Sequence, residues 1–229
     1  MSGFLTTFFL PHFCVGCLRP GVTICQSCLE SCVLYSPQRC VVCGKPSFLG
    51  FTHYECRRKT QINGVYSFFY YQPPLRQAIK NCKFRHNKEI LNDILHTLTP
   101  PVLSPLWELK KMYPNLIASF VPQTNDVYKS RGFNQSYVIA TYLSRALKIP
   151  LYDLFKKVSR TKHQSQLTRE ERKNNLGGAF RFTVGKSPKN ILLVDDIITT
   201  ATTVDTLAGL VKTTNPQNRL HAVSIMRAR

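Results

Sequence analysis

The feature that most constrains this chain is the run from Ile191 to Val204, ILLVDDIITTATTV. An apolar, strand-like stretch ends in two adjacent carboxylates, Asp195 and Asp196. Thr199, Thr200, Ala201, Thr202 and Thr203 form a loop of small residues, and a helix-like segment opens at Val204. The buried strand delivers a fixed loop at its C-terminal end, where open α/β sheets bind ligands. Exposed N–H groups and the dipole at a helix start favour an anion. Paired acids beside that cradle suit ribose hydroxyls or a metal ion. A VDD triplet alone would equally describe a buried strand with a solvated acid pair, but the whole order points to a sugar phosphate.

The order resembles the 5-phosphoribosyl-1-pyrophosphate (PRPP) motif of type I phosphoribosyltransferases. The resemblance implies that Asp195 and Asp196 face the ribose hydroxyls. It also implies that Thr199, Thr200, Ala201, Thr202 and Thr203 hold the 5-phosphate, with Mg2+ accompanying PRPP. That motif usually carries Gly after its two threonines, and here Ala201 stands there. Gly serves where backbone must come close or adopt positive φ.

With 229 residues the chain has room for one ordinary domain and a small one. Its 43% hydrophobic content supports a real core and excludes general disorder. A formal net charge of +19, from 31 basic and 12 acidic side chains, calls for a polyanionic partner: nucleic acid, an anionic membrane or a phosphorylated substrate. The bland alternative is a basic surface kept for solubility. No apolar run approaches the roughly 20 residues that span a bilayer. The opening MSGFLTTFFLPHF has no basic n-region and stops at Pro11, with cysteines close behind. It reads as a short apolar lead packing on the fold rather than a signal peptide, and the protein as cytoplasmic.

Eight of the nine cysteines lie between Cys14 and Cys56. Three CxxC pairs stand out: Cys14 with Cys17, Cys25 with Cys28, and Cys40 with Cys43. Two residues between thiolates let both point at one tetrahedral ion, so this is zinc spacing. The third pair runs into Gly44, as in a zinc-knuckle turn. A disulfide scaffold is the alternative, but no secretion signal accompanies the cysteines. Six paired ligands fill one site and half of another, and Cys56 supplies a seventh. Either His53, which makes an HxxC pair with Cys56, or Cys32 can be the eighth. Spacing does not say which pair joins which. Four thiolates close the coordination sphere, so the role is structural, folding a segment with too little core of its own.

After Lys59 the composition changes. Gly64 to Tyr71 is aromatic and strand-like, and Leu75 to Phe84 reads as an amphipathic helix. Arg76, Lys80, Lys83, Arg85 and Lys88 place five positive charges in thirteen residues with no acid among them. Tyr70, Tyr71 and Phe84 flank them. Basic groups beside aromatic faces fit single-stranded nucleic acid; a solvated helix face over core aromatics is the alternative. Residues 87–98 read as another helix that Pro100-Pro101 ends. Leu116 to Val121 reads as a buried strand entering a basic loop that ends Lys129-Ser130-Arg131-Gly132-Phe133-Asn134-Gln135, before a helix from Ser136 to Lys148. Arg131 can grip phosphate in a bidentate way. Lys156 to Lys189 carries ten Lys or Arg against two Glu, Arg160, Arg169 and Arg172 among them. It reads as a mobile basic hood over the site. Leu220 to Met226 is a last strand, and the alternation implies a mostly parallel sheet.

The CxxC pairs, CVVCG, the basic NCKF segment, RGFNQ at Arg131 to Gln135, the set Gln166, Arg169, Asn175 and Phe180, and VDDIITT occur in this order. The combination resembles the competence protein F (ComF, ComFC) family along nearly the whole chain. The resemblance implies an α/β, type I phosphoribosyltransferase-like fold over residues 61–229, preceded by a small Cys-rich zinc-binding module over residues 1–60. It implies a part in natural transformation, handling incoming single-stranded DNA alongside other DNA-uptake proteins. The chain departs from the family at Ala201, at the fourth CxxC pair, where Arg57, Arg58 and Lys59 follow Cys56, and at Val121 to Thr124 (VPQT), where a second proline is common. Two other functions fit the same residues. One is an active Mg2+-dependent phosphoribosyltransferase, with Asp195, Asp196 and Arg131 serving catalysis and Arg131 stabilising the departing pyrophosphate. The other is a zinc-organised adaptor whose pocket is vestigial.

Overall fold

A computed structural model describes residues 13–84, 88–158, 178–183 and 188–228. Among the described residues the centre is a wholly parallel four-stranded sheet in the order β1-β6-β5-β2. Its strands are β1 (Gly64–Tyr70), β2 (Leu116–Phe120), β5 (Asn190–Ile198) and β6 (Arg219–Arg227). Two short strands, β3 (Phe155–Lys157) and β4 (Phe180–Phe182), form a separate antiparallel pair. Helix α1 (Gln26–Glu30) lies in the cysteine-rich segment, and α2 (Leu75–Phe84), α3 (Lys88–His96) and α4 (Pro100–Met112) link β1 to β2. Helices α5 (Asn125–Arg131) and α6 (Gln135–Leu147) follow β2, and α7 (Thr202–Thr214) joins β5 to β6.

The apolar run of β5 is continuous because both faces are covered. Leu192 and Val194 join the core that includes Ile139, Leu143 and Leu147 of α6. Ile191 and Leu193 join the opposite core, built with Val204, Leu207 and Val211 of α7.

The winding of the chain reverses between β2 and β5. From β2 the chain passes through α6 to Leu151, which bridges in parallel to Ala118 on the side of β2 away from β5. From β5 it passes through α7 on the other face to β6, on the opposite side. Adjacent parallel strands whose connections diverge in this way leave a crevice at their carboxyl ends, where open α/β sheets bind ligands.

Several local expectations are corrected. The segment before Gly132 is not a loop but α5. The Thr124 hydroxyl accepts from the N–H of Val127 at 3.4 Å, and Gly132 ends the helix at φ 75. Pro100-Pro101 does not merely end a helix. The two prolines open α4, where their missing N–H groups would have no helical partner. β5 runs through both acids to Ile198 rather than stopping at them, and Thr202 and Thr203 already belong to the first turn of α7.

The cysteine-rich segment covers an edge of this sheet. The N–H of Tyr35 donates to the Phe68 carbonyl at 2.8 Å, and that of Tyr70 donates to Val33 at 3.1 Å. The Gln38 amide both donates to and accepts from Ser67, at 2.8 and 3.1 Å. These bonds occupy the free edge of β1. Cys14, Ile24 and Cys25 are buried in one core with Phe68, Leu75 and Leu91. The apolar lead, residues 1–12, lies outside the described residues.

Candidate functional site

The crevice at the ends of β2 and β5 is assembled by the residues that follow Gly132. The Asn134 side chain caps α6, accepting from the N–H of Tyr137 at 3.3 Å, and donates to the Val121 carbonyl at 3.0 Å. Ser136, in the first turn of α6, donates its hydroxyl to Asp195 Oδ1 at 2.9 Å, and the same oxygen accepts from the N–H of Asp196 at 2.9 Å. Asp196 Oδ1 accepts from the N–H of Ile197 at 2.8 Å. Gln123 donates to Gln135 at 2.8 Å, leaving Gln123 Oε1 and Gln135 Nε2 buried without partners among the described residues. The acids are thus oriented by the polypeptide itself, beside unused polar capacity.

Beyond Ile198 the chain turns through Thr199 and Thr200, both exposed, into Ala201. Ala201 adopts φ 58 and ψ 12, the left-handed conformation that glycine takes most readily. Its carbonyl accepts the first helical hydrogen bond, from the N–H of Asp205 at 2.8 Å. The hydroxyls of Thr200 and Thr202 lie 2.8 Å apart. This is a backbone turn delivering small hydroxyls to a thirteen-residue helix, the geometry an anion requires.

The cysteines resolve into two tetrads. Cys14, Cys17, Cys25 and Cys28 form one, and Cys40, Cys43, His53 and Cys56 the other; within each, every ligand atom lies within 4.8 Å of the rest. Sulfurs approach to 3.5 Å (Cys17 and Cys25) and 3.7 Å (Cys14 and Cys28). Thiolates on a tetrahedral zinc with bonds of about 2.3 Å stand roughly 3.8 Å apart, so both groups could hold zinc. Burial alone would push the Cys14 thiol up, but N–H donors from Cys25, Cys17 and Gly16 outweigh it and bring it down to about 6. Burial likewise opposes, and N–H donors of Cys43, His53 and Val42 overcome, the shift at Cys40, which falls to about 7. His53 completes the second group. Its Nδ1 lies 3.2 Å from Cys43 Sγ, while Nε2 lies 3.2 Å from the Pro46 carbonyl, the outer contact that fixes the tautomer of a metal-binding imidazole. Cys32 stands apart from both tetrads, its thiol turned to the Cys28 carbonyl.

A family model described as a phosphoribosyl transferase domain matches residues 134–229. The chain is 30% identical over 210 residues to the DNA utilization protein YhgH of Escherichia coli (strain K12), covering 88% of this chain and 91% of that protein. It is 25% identical over 200 residues to the competence protein ComFC of Bacillus subtilis (strain 168), 82% and 77% of the two chains. It is also 37% identical over 86 residues to the competence protein F of Haemophilus influenzae, 36% and 38%. The chain belongs to the competence protein F family. As a member of that family it joins a phosphoribosyltransferase-like α/β sheet to an amino-terminal pair of cysteine clusters.

The basic residues of this family member occupy several surfaces. Arg76 and Lys80 are exposed on α2, and Lys83 lies in the same helix. Lys129 is exposed on α5, and Arg131 is its last, half-buried residue. Lys88, at the start of α3, sets its ammonium 5.2 Å from the ring of Phe133, linking the basic helical segment to RGFNQ. Arg85, Arg160, Arg169 and Arg172 lie outside the described residues, as does most of the basic hood. Among the described residues no helix is long and apolar enough to cross a membrane.

Sequence reasoning passed over Ser136 as a site residue, although it directly follows RGFNQ. It also passed over Lys157 of β3. Burial pushes the Lys157 ammonium down from its ordinary range, and the Asp195 carboxylate pulls it partly back. No local pattern marks that proximity.

Proposed function

We propose that this protein serves natural transformation by handling incoming single-stranded DNA in the cytoplasm, with a PRPP-type ribose-5-phosphate site and structural zinc in both cysteine tetrads. The observation that carries the site is the Ser136 to Asp195 hydrogen bond at the switch point, one turn of chain from a left-handed Ala201. Asp195 and Asp196 would meet the ribose hydroxyls, with Mg2+ supplying charge neutralisation for the diphosphate when bound. Thr199 to Thr203 would hold the 5-phosphate at the start of α7. Ala201 supports a live pocket rather than a vestigial one, because it keeps the backbone shape that glycine would give, at a strain of about 1 kcal/mol. The names of the relatives, competence protein and DNA utilization protein, support the cellular role. The net charge of +19 and the exposed Arg76, Lys80 and Lys129 support contact with the phosphates of a DNA strand, in company with other DNA-uptake proteins.

A second reading, phosphoribosyl transfer to an acceptor, is favoured by Lys157, a cation close enough to Asp195 for the two charges to interact. With Arg131 it would stabilise charge on departing pyrophosphate. Calorimetric titration of the zinc-loaded protein with PRPP and Mg2+ tests the shared pocket. Saturable binding that weakens at least about tenfold in an Asp195→Asn, Asp196→Asn double variant is expected. A folded wild-type protein giving no binding heat would sink both readings, and pyrophosphate release with an acceptor present would select the second.

A further inference from the structure

A second cavity, of about 590 Å3, lies where the second cysteine tetrad meets the carboxyl edge of the sheet. Tyr35, Tyr70, Thr199, Arg39, Gly44 and Arg227 are among its lining residues, and no carboxylate is. Arg227 is fixed by the sheet. It pairs in register with Ile198 of β5 on one side and Tyr70 of β1 on the other, which sets it beside Thr199. Its Nη1 is buried and has no hydrogen-bond partner; the Tyr35 side chain hydrogen-bonds the guanidinium elsewhere, and no acidic side chain pairs with it among the described residues. A guanidinium partly withdrawn from water beside a neutral phenol rather than a counter-charge is costly, and an anion with oxygens to accept its free N–H groups offsets that cost. Arg39 adds a second positive charge at the rim, its Nη1 tied to the Gly44 carbonyl at 2.9 Å within the knuckle turn. The space exceeds that of a phosphate and leaves room for the rest of a phosphorylated molecule.

We propose that this cavity is an anion subsite in which Arg227 and Thr199 hold a phosphate group, walled on one side by the Cys40–Gly44 turn. The subsite adjoins the ribose-5-phosphate reading and shares Thr199 with it, but its charge comes from the guanidinium of β6 and it does not use the acids of β5. The phosphate belongs either to a small polyphosphate or to the end of a nucleic acid strand.

Zinc-loaded full-length protein is titrated calorimetrically with sodium pyrophosphate and, separately, with a 5′-phosphorylated trinucleotide. Arg227→Gln should weaken the tighter of the two by about tenfold or more, with Arg227→Lys recovering part of the loss. Arg39→Gln, at the rim, should weaken it as well and covers the case in which Arg227→Gln does not fold, as judged by far-UV circular dichroism. Lys111→Gln, which removes the same charge from exposed α4, should leave pyrophosphate affinity within about twofold. The tighter ligand names the source of the phosphate. Wild-type affinity in a folded Arg227→Gln protein, or absence of binding by both probes, overturns the proposal. PRPP titrations of the Asp195→Asn, Asp196→Asn protein report on the other site, so pyrophosphate binding that survives there separates the two.

Discussion

Thr60 donates its hydroxyl to Asp205 Oδ1 at 2.6 Å, and the N–H of Gln61 reaches the same oxygen at 2.7 Å. Asp205 stands in the first turn of α7, the helix that carries the threonine loop. Thr60 follows the second cysteine tetrad by four residues. A cavity of about 300 Å3 lies between them, lined by Val41 and Val42 of the knuckle and by Thr200, Ala201 and Thr202. The candidate metal centre and the candidate phosphate loop are therefore neighbours through a carboxylate bond rather than separate modules on a string.

Thr60→Val keeps the side-chain shape and removes the donor from a carboxylate oxygen. A loss of about 1–2 kcal/mol in folding stability is expected, because charge-assisted hydrogen bonds are the stronger ones. Urea denaturation of the zinc-loaded variant, with an unchanged m value, measures it; a change below about 0.3 kcal/mol would show that Gln61 alone suffices.

Ala201 allows a sharper comparison. Valine is β-branched and resists the left-handed region, so Ala201→Val should cost about 2 kcal/mol or more and weaken PRPP binding. Ala201→Gly removes the strain but also a buried methyl worth about 0.8 kcal/mol, and adds freedom to the unfolded chain. It should fall within about 1 kcal/mol of wild type. Equal stabilities for Val and Gly at this position would contradict the left-handed turn.

The two tetrads predict metal content. Two zinc equivalents per chain should be found by elemental analysis of protein purified without chelator. Cys14→Ser and Cys40→Ser should each leave about one. His53→Ala should lower zinc retention at the second tetrad, by roughly 10-fold or more in affinity, while Cys32→Ser should leave both intact.

His221 supplies a pH dependence. It is 3% exposed, lies between the rings of Phe51 and Tyr113 at 5.2 and 4.9 Å, and has Nε2 buried without a partner. Burial, with a smaller contribution from Arg219, pushes it down to about 3. The unfolded chain protonates His221 near its ordinary value of about 6.5. The unfolded state thus takes up the proton first, and stability falls as pH drops from about 6.5 toward 3. By pH 5 the contribution is about 2 kcal/mol. His221→Gln should flatten that part of the pH–stability curve relative to wild type, whereas metal loss in acid would affect both proteins alike. Parallel curves for the two proteins between pH 7 and 5 would contradict the buried neutral imidazole.

Single-stranded DNA binding should fall steeply with salt, through counterion release. Exchanging both Arg76 and Lys80 for Gln should shallow the slope of log affinity against log salt by about 1–2 if both contact phosphate. Fluorescence anisotropy across a salt series measures it, and an unchanged slope would move the DNA contact off α2.

The local pattern determined much of this protein. The apolar run of β5 marked a strand buried on both faces, since four consecutive large aliphatics, Ile191 to Val194, rich in β-branched residues and followed at once by an acid pair and a small-residue loop, fit a short buried strand better than a helix. CxxC spacing marked six of the eight residues of the two candidate tetrads, because two thiols that close in sequence must be close in space. Periodicity located α2 and α6 within a residue. Turn chemistry was read less well. Thr124 and Gly132 are a cap and a terminator, yet the polar residues between them lack the apolar stripe that betrays a helix, and α5 buries none of its residues. Which cysteine pairs group together was decided by the fold, which brings His53 and Cys56 back onto Cys40 and Cys43 across thirteen residues of chain with their own turns. The meetings of Ser136 with Asp195, of Thr60 with Asp205, and of Arg227 with Thr199 are likewise products of tertiary structure. They join residues 59, 145 and 28 apart, whose proximity depends on strand order and register, and strand order is a property of the whole sheet that no local window contains.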